Sequence, residues 1–199
     1  MDLSAGIRII LVKYYNRFQR LFWETKAESV HKQWGQGTSD YAVLSSIIDQ
    51  YKPASILDIG CGSGRLFGLF REKQIERILG IDISSKALTL ANRRFPEYKT
   101  IRARLDDLGE KEFGSARFDL AISSRVLQHI HPENIEIAIK KLCSLSTSIY
   151  INELSESDGV NENKYTFCHD YNKLLSGTNF TLLKKGNIDK QTFLYFSLT

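Results

Sequence analysis

At 199 residues, with 42% hydrophobic and 25% charged residues, the chain is long enough for one buried core and too short for two domains of ordinary size. Three Pro, thirteen Gly and no repeat at a fixed period exclude collagen-like, linker-dominated and solenoid architectures. A net charge of +4, from 27 basic and 23 acidic residues, is too modest to announce nucleic acid, though it permits an anionic partner.

Residues 1–52 read as a helical cap segment and 53–199 as one α/β domain. In the cap, Ile7, Ile10, Leu11, Tyr14, Phe18, Leu21 and Phe22 recur at spacings of three and four, with Arg8, Lys13, Arg17 and Arg20 between them, which predicts an amphipathic helix. The apolar run from Ile7 to Val12 is broken by Arg8 and lacks a cleavage signature, so neither a signal peptide nor a spanning helix of about 20 apolar residues is expected. After the loop from Trp34 to Asp40, Ser39 or Asp40 can cap a second helix beginning at Tyr41, and Pro53 ends the segment.

From there short apolar runs alternate with helical patterns. Strands are predicted at Ser55–Ile59, Arg77–Ile83, Tyr98–Ile101, Phe118–Ser123, Ser148–Asn152, Phe180–Leu183 and Phe193–Ser197, with helices near Leu66–Lys73, Ser85–Arg94, Glu133–Leu145 and Asp170–Ser176. This alternation implies a parallel sheet covered by helices. The gap of about nine residues between Leu183 and Phe193 is too short for a parallel crossover of a dozen or more, so the sheet should end in an antiparallel hairpin. Cys61, Cys143 and Cys168 are odd in number and have no CxxC spacing, which supports neither a disulfide framework nor a zinc site and suits a reducing, cytoplasmic setting.

Residues Ile56 to Leu66 carry the chemistry. An apolar strand bearing Asp58 runs into a loop with glycine at 60, 62 and 64, and a helix follows. Glycine at alternate positions lets the backbone turn sharply and approach a ligand where a Cβ would collide, while the helix start offers free N–H groups. Asp82 ends the second strand 24 residues after Asp58, where a doubly wound fold places a carboxylate for ribose hydroxyls. Glycine turns also serve packing alone, but strand, acid, loop, helix, strand and acid in this order and at βαβ spacing point to a nucleoside ligand.

These residues resemble the class I S-adenosylmethionine (SAM)-dependent methyltransferases, whose first motif, Asp/Glu-x-Gly-x-Gly-x-Gly after hydrophobics, Asp58 through Gly64 match fully. The resemblance continues through Gly80–Ser84 to Phe118–Ile130 and covers about residues 54–199. It implies a three-layer Rossmann-like α/β sandwich: a seven-stranded, mostly parallel sheet with a C-terminal antiparallel hairpin and an N-terminal helical cap. It also implies SAM as cofactor and S-adenosylhomocysteine as product. By that resemblance Gly60, Cys61, Gly62 and Gly64 would pack against the methionine and ribose, Asp58 would orient the loop or the methionine amine, Asp82 would hold the ribose hydroxyls and Ile83 would touch adenine. Asp106 and Asp107 are the candidates for the adenine amino group, although aligning Leu108 with the family's leucine puts Arg104 where the acid belongs. Ser123 and Ser124 would lie beside the transferred methyl.

A sulfonium is already an activated electrophile, so transfer needs a positioned nucleophile, and a base only where oxygen or nitrogen must lose a proton. His129, His131, Glu153, His169 and Asp170 fall near carboxyl ends of strands or a late helix start, and Glu153 and His169 are taken as catalytic candidates. Against this, Asp170 can simply cap a helix with His169 beside it, and Glu153 can be solvated in the loop that follows. His129 and His131 lack a third local ligand, so no metal is expected.

Tyr14, Tyr15, Phe18, Phe22, Trp23 and Trp34 form either a lid over an apolar acceptor pocket or the buried face of a docked helix. Arg8, Lys13, Arg17 and Arg20 could attract an anionic membrane surface peripherally, or be an ordinary solvated face. The turn Ser123-Ser124-Arg125-Val126 lacks the Asn/Asp-Pro-Pro-aromatic signature of base-methylating enzymes and no Pro-Cys pair is present, so a small-molecule or glycan-like acceptor is expected over nucleic acid. A nicotinamide dehydrogenase would need glycine where Phe67 stands. Aminopropyl transfer would call on Glu153, Glu156 and Asp158 to grip a polyamine, and a SAM-fold scaffold without turnover is the non-enzymatic alternative. Oligomeric state is left open.

Overall fold

A computed structural model describes residues 5–34, 39–108, 117–154 and 166–199, with the side chains of 5–11 and 34 excepted. Two helices come first, α1 (Ala5–Trp34) and α2 (Tyr41–Tyr51). The alternation β1 (Ser55–Ile59), α3 (Phe67–Glu72), β2 (Arg77–Asp82), α4 (Ser85–Arg94) and β3 (Lys99–Arg102) follows. The second half comprises β4 (Leu120–Ser124), a 3-10 turn at Leu127–His129, α5 (Pro132–Leu145), β5 (Ser148–Glu153), α6 (Tyr171–Ser176), β6 (Phe180–Ile188) and β7 (Gln191–Leu198).

The seven strands lie in the order β3-β2-β1-β4-β5-β7-β6. Strands β1 to β5 pair parallel, whereas β7 runs antiparallel between β5 and β6. The final hairpin is therefore present, but its strands run longer than their apolar runs. Thr181, Leu182 and Leu183 in β6 are exposed, because an edge strand completes its ladder through backbone bonds to β7 without burying each side chain.

Alternation along the strands builds the two faces. Leu57, Ile59, Leu79, Ile81, Ala121, Ile149 and Ile151 pack with Ile135, Ile139 and Leu142 of α5 and with Tyr171 and Leu175 of α6. Their neighbours Ile56, Ile78, Leu120, Ile122 and Tyr150 point the other way, against Leu44 and Ile47 of α2, Phe67 and Phe70 of α3, and Leu88 and Ala91 of α4. This is the three-layer sandwich expected, and it is why the central strands read as continuous apolar runs.

Helix α1 crosses the carboxyl ends of the strands. His31 Nδ1 is hydrogen-bonded to Ser63 Oγ at 2.7 Å, Ser85 Oγ donates to Glu24 at 2.7 Å, and Tyr15 Oη donates to the His129 carbonyl at 3.0 Å. Its inner face uses Tyr15, Gln19, Trp23 and Ala27. Tyr14, Phe18 and Leu21 of the predicted apolar stripe instead face outward. The helix is apolar on two sides, and periodicity alone does not say which side docks. No described helix is long and apolar enough to cross a membrane.

Candidate active site

The glycine loop is shaped by contacts from a distant part of the chain. Gly60 has φ +64°, and a Cβ there would lie 2.2 Å from Val126 Cγ2 in the turn after β4, so only glycine lets the two loops close together. Gly62, at φ +55°, is different: a Cβ would meet nothing nearer than the Gly60 carbonyl at 4.0 Å and would project into open space. That space is a cavity of about 1010 Å³ walled by Gly60, Cys61, Gly62, Asp82, Ile83 and Asp106 on one side and by the inner face of α1 on the other. It lies at the upper end of the size range of small-molecule sites, about 300–1,000 Å³, and leaves room beyond one nucleoside-sized ligand. Gly64 and Asp58 do not line it. At Gly64, φ is +77° and an added Cβ would run into Phe67 and Phe95.

Asp82 is held by the loop that it serves. Its Oδ2 accepts from Gly62 N at 3.0 Å and its Oδ1 from Ser84 N at 2.8 Å. A carboxylate has about four acceptor positions, so lone pairs remain toward the cavity for a pair of hydroxyls. Burial pushes this carboxyl up, and the amides of Ser84, Gly62 and Ile83 oppose the rise. Asp58 is 3% exposed, and its Oδ2 accepts no hydrogen bond. Burial raises it to about 7, with the Arg65 guanidinium pulling the other way. A cradle that a Cβ would fill and a carboxylate with spare acceptors on its wall fit an adenosyl ligand.

The two candidate acids after β3 are placed differently. Asp106 lines the cavity, where Arg104 grips it in a fork with Nε 2.9 Å from Oδ1 and Nη2 3.1 Å from Oδ2. Asp107 points to solvent with its side chain 71% exposed.

The two catalytic candidates do not face the cavity. Glu153 is fully buried and accepts four hydrogen bonds: Ser123 Oγ at 2.7 Å, Val126 N at 2.8 Å, Leu127 N at 2.9 Å and Gln128 N at 3.3 Å. It pins the turn after β4, which in turn presses Val126 onto Gly60. Burial lifts its carboxyl to about 7 despite these donors. Ser123 is consumed by the same contact and turned into the protein, so Ser124 is the serine on the cavity wall. His169 is buried with Nε2 donating to the Ile130 carbonyl at 3.1 Å, and Asp170 caps α6 through Lys173 N. His131 caps α5, whereas His129 lines the cavity with its ring edge-on to Trp23 at 5.1 Å. Glu156, Asp158 and the side chains of Arg8 and Trp34 lie outside the described residues.

The capping role expected of Asp40 is not the one that it takes. Asp40 stands at the N-cap position of α2 but makes no side-chain cap. Its completely buried carboxylate accepts from Arg65 Nη2 at 2.8 Å, from Ser124 Oγ at 2.6 Å and from Asn152 Nδ2. Those partners are 25, 84 and 112 residues away, so no local pattern marks it. Arg65 Nη1 is left buried without an acceptor, on a residue that lines the cavity.

A family model described as a methyltransferase domain matches residues 56–147, from β1 to the threshold of β5. A phosphoethanolamine N-methyltransferase of Plasmodium falciparum is 28% identical over 154 residues, covering 69% of this chain and 57% of that protein. Across the curated relatives it matches, the chain spans between 26% and 57% of their length. The fold is shared with a 1,6-didemethyltoxoflavin-N1-methyltransferase from Burkholderia thailandensis at a TM-score of 0.73 and 20% identity, covering 100% of this chain and 92% of that one. Magnesium protoporphyrin IX methyltransferase from Synechocystis PCC 6803 gives 0.64 at 20% identity, with 100% of both chains covered. The methyltransferase-domain match and the glycine-loop signature fall on the same strands, and the chain has the fold of these solved methyltransferases.

Proposed function

We propose that this chain binds SAM over the glycine loop and transfers its methyl group to an oxygen or nitrogen of a small-molecule or glycan-like acceptor enclosed beneath α1. The observation that carries the reading is the cavity in which Gly62, Asp82 and the inner face of α1 converge. When bound, SAM supplies a sulfonium-activated methyl group. Asp82 holds the ribose hydroxyls, Asp106 lies on the adenine side, and the unsatisfied Arg65 Nη1 offers a donor to a carboxylate. Phe22, Trp23 and Val30 exclude water from the space beyond, where the acceptor sits. Among the groups weighed as bases, His129 is the one on the wall of that space, and we assign it to receive the acceptor's proton. Glu153 becomes a positioning residue for the loop that carries it. Relatives named for phosphoethanolamine and for didemethyltoxoflavin are consistent with a small acceptor.

Calorimetric titration with SAM and S-adenosylhomocysteine tests cofactor binding. Asp82→Ala should weaken affinity by on the order of 1–3 kcal/mol, the worth of hydrogen bonds to a charged group. Unchanged affinity would remove Asp82 from the site, and no binding by the unaltered chain would overturn the reading. Binding without transfer of labelled methyl to any acceptor of a small-molecule panel would favour a scaffold.

A further inference from the structure

Helix α1 has a second face that the methyl-transfer reading does not use. Tyr14, Phe18 and Leu21 are 68%, 43% and 63% exposed. Spaced four and three residues apart, they form one stripe about 10 Å long. One residue earlier at each step come Lys13, Arg17 and Arg20, all exposed, which form a parallel cationic stripe about a quarter-turn round the helix. From Ala5 to Trp23 the helix contains no acidic residue. Exposed aromatic and aliphatic side chains beside cations, in a stretch of helix without acidic residues, match the interface of a bilayer with anionic headgroups: rings and Leu21 enter the headgroup and acyl boundary while the cations meet phosphates.

We propose that the outer face of α1 docks this chain onto an anionic lipid surface, with the cavity on the opposite side of the same helix. A second copy of the chain is the poorer occupant. Pairing this face with itself brings the three cations of each copy to one seam, where like charges oppose association. The stripe is also too short to bury the roughly 800 Å² per partner of a stable interface.

Co-sedimentation of the 199-residue chain with vesicles decides this. Binding is expected to phosphatidylcholine vesicles containing about one third phosphatidylglycerol, to fall steeply at high salt and to be absent with phosphatidylcholine alone. Replacing both arginines (Arg17→Gln with Arg20→Gln) should lower partitioning about 30-fold, at about fivefold per cation near the surface. Leu21→Glu should lower it on the order of tenfold or more through loss of apolar insertion. Unchanged melting by circular dichroism in these surface variants separates lost docking from misfolding. The proposal is overturned by equal binding to neutral and anionic vesicles, by no binding to either, or by variants that partition like the unaltered chain. A concentration-dependent dimer dissociated by Leu21→Glu would instead assign the face to a second copy.

Discussion

Gly62→Arg should leave a folded protein that no longer binds SAM. The position is left-handed, at φ +55°, so a side chain there costs roughly 1–2 kcal/mol of backbone strain. For a chain of this length that lowers the melting temperature by about 2–8 °C. The added Cβ meets only the Gly60 carbonyl, at 4.0 Å, so no steric cost is expected in the absence of ligand. The guanidinium stem occupies the volume assigned to the cofactor, and calorimetry should show no heat of binding. Gly60→Ala is the contrasting case: its Cβ lies 2.2 Å from Val126 Cγ2, so it forces apart the two loops that shape the cavity and should cost stability first. Preserved SAM affinity in Gly62→Arg would show that the cofactor does not lie over this loop, whatever else the cavity binds.

Glu153→Ala should destabilise the fold by about 3–5 kcal/mol, because each buried donor that loses its acceptor costs about 1–3 kcal/mol. Four donors, from Ser123, Val126, Leu127 and Gln128, would face an empty space without acceptors. Glu153→Gln should cost much less, since an amide oxygen can serve the three donors at Oε1, leaving only the longer contact from Gln128 N mismatched. The acid and the amide also differ in pH dependence. The carboxyl titrates near 7 in the folded chain and near 4.5 when unfolded, so between these values the native state keeps a proton that the unfolded chain has lost. Its stabilising contribution is complete below about pH 4, declines as pH rises toward 7 and is flat above, with a span of about 3 kcal/mol. The amide does not titrate. Urea unfolding at about pH 5, 6, 7 and 8 should therefore show the unaltered chain losing stability relative to Glu153→Gln until roughly neutrality, and no further loss beyond it. A constant difference would mean that the carboxylate is ionised throughout, held so by its donors.

The first prediction probes the glycine loop after β1 and the second the turn after β4 that carries His129, and neither by itself decides the scaffold alternative. A chain that binds SAM without turning it over would share every response of Gly62 and Asp82. It would differ only in what it does with an acceptor beside His129.

Much of this was legible along the chain. Short apolar runs separated by helical patterns are local in origin, and from them come the strands, the parallel sheet and, by the shortness of the last connection, the hairpin. The glycine loop and its two acids are legible for the same reason: each sits at a strand end, and strand ends can be located from a few neighbouring residues. What local pattern could not decide was which way a side chain faces once two apolar alternatives exist. Ser123 and Ser124 are adjacent and equally polar, yet pleating sends one to Glu153 and the other to the cavity. Glu153 and His169 were candidates because they follow or precede the right elements, but the depth of their burial depends on loops that close over them from elsewhere. Asp40 gathers Arg65, Ser124 and Asn152 from three distant points of the chain, and α1 could have docked by either of its apolar sides. Secondary structure follows from neighbours within a few residues, whereas an active site is a meeting of strand ends, and only the packed sheet brings those together.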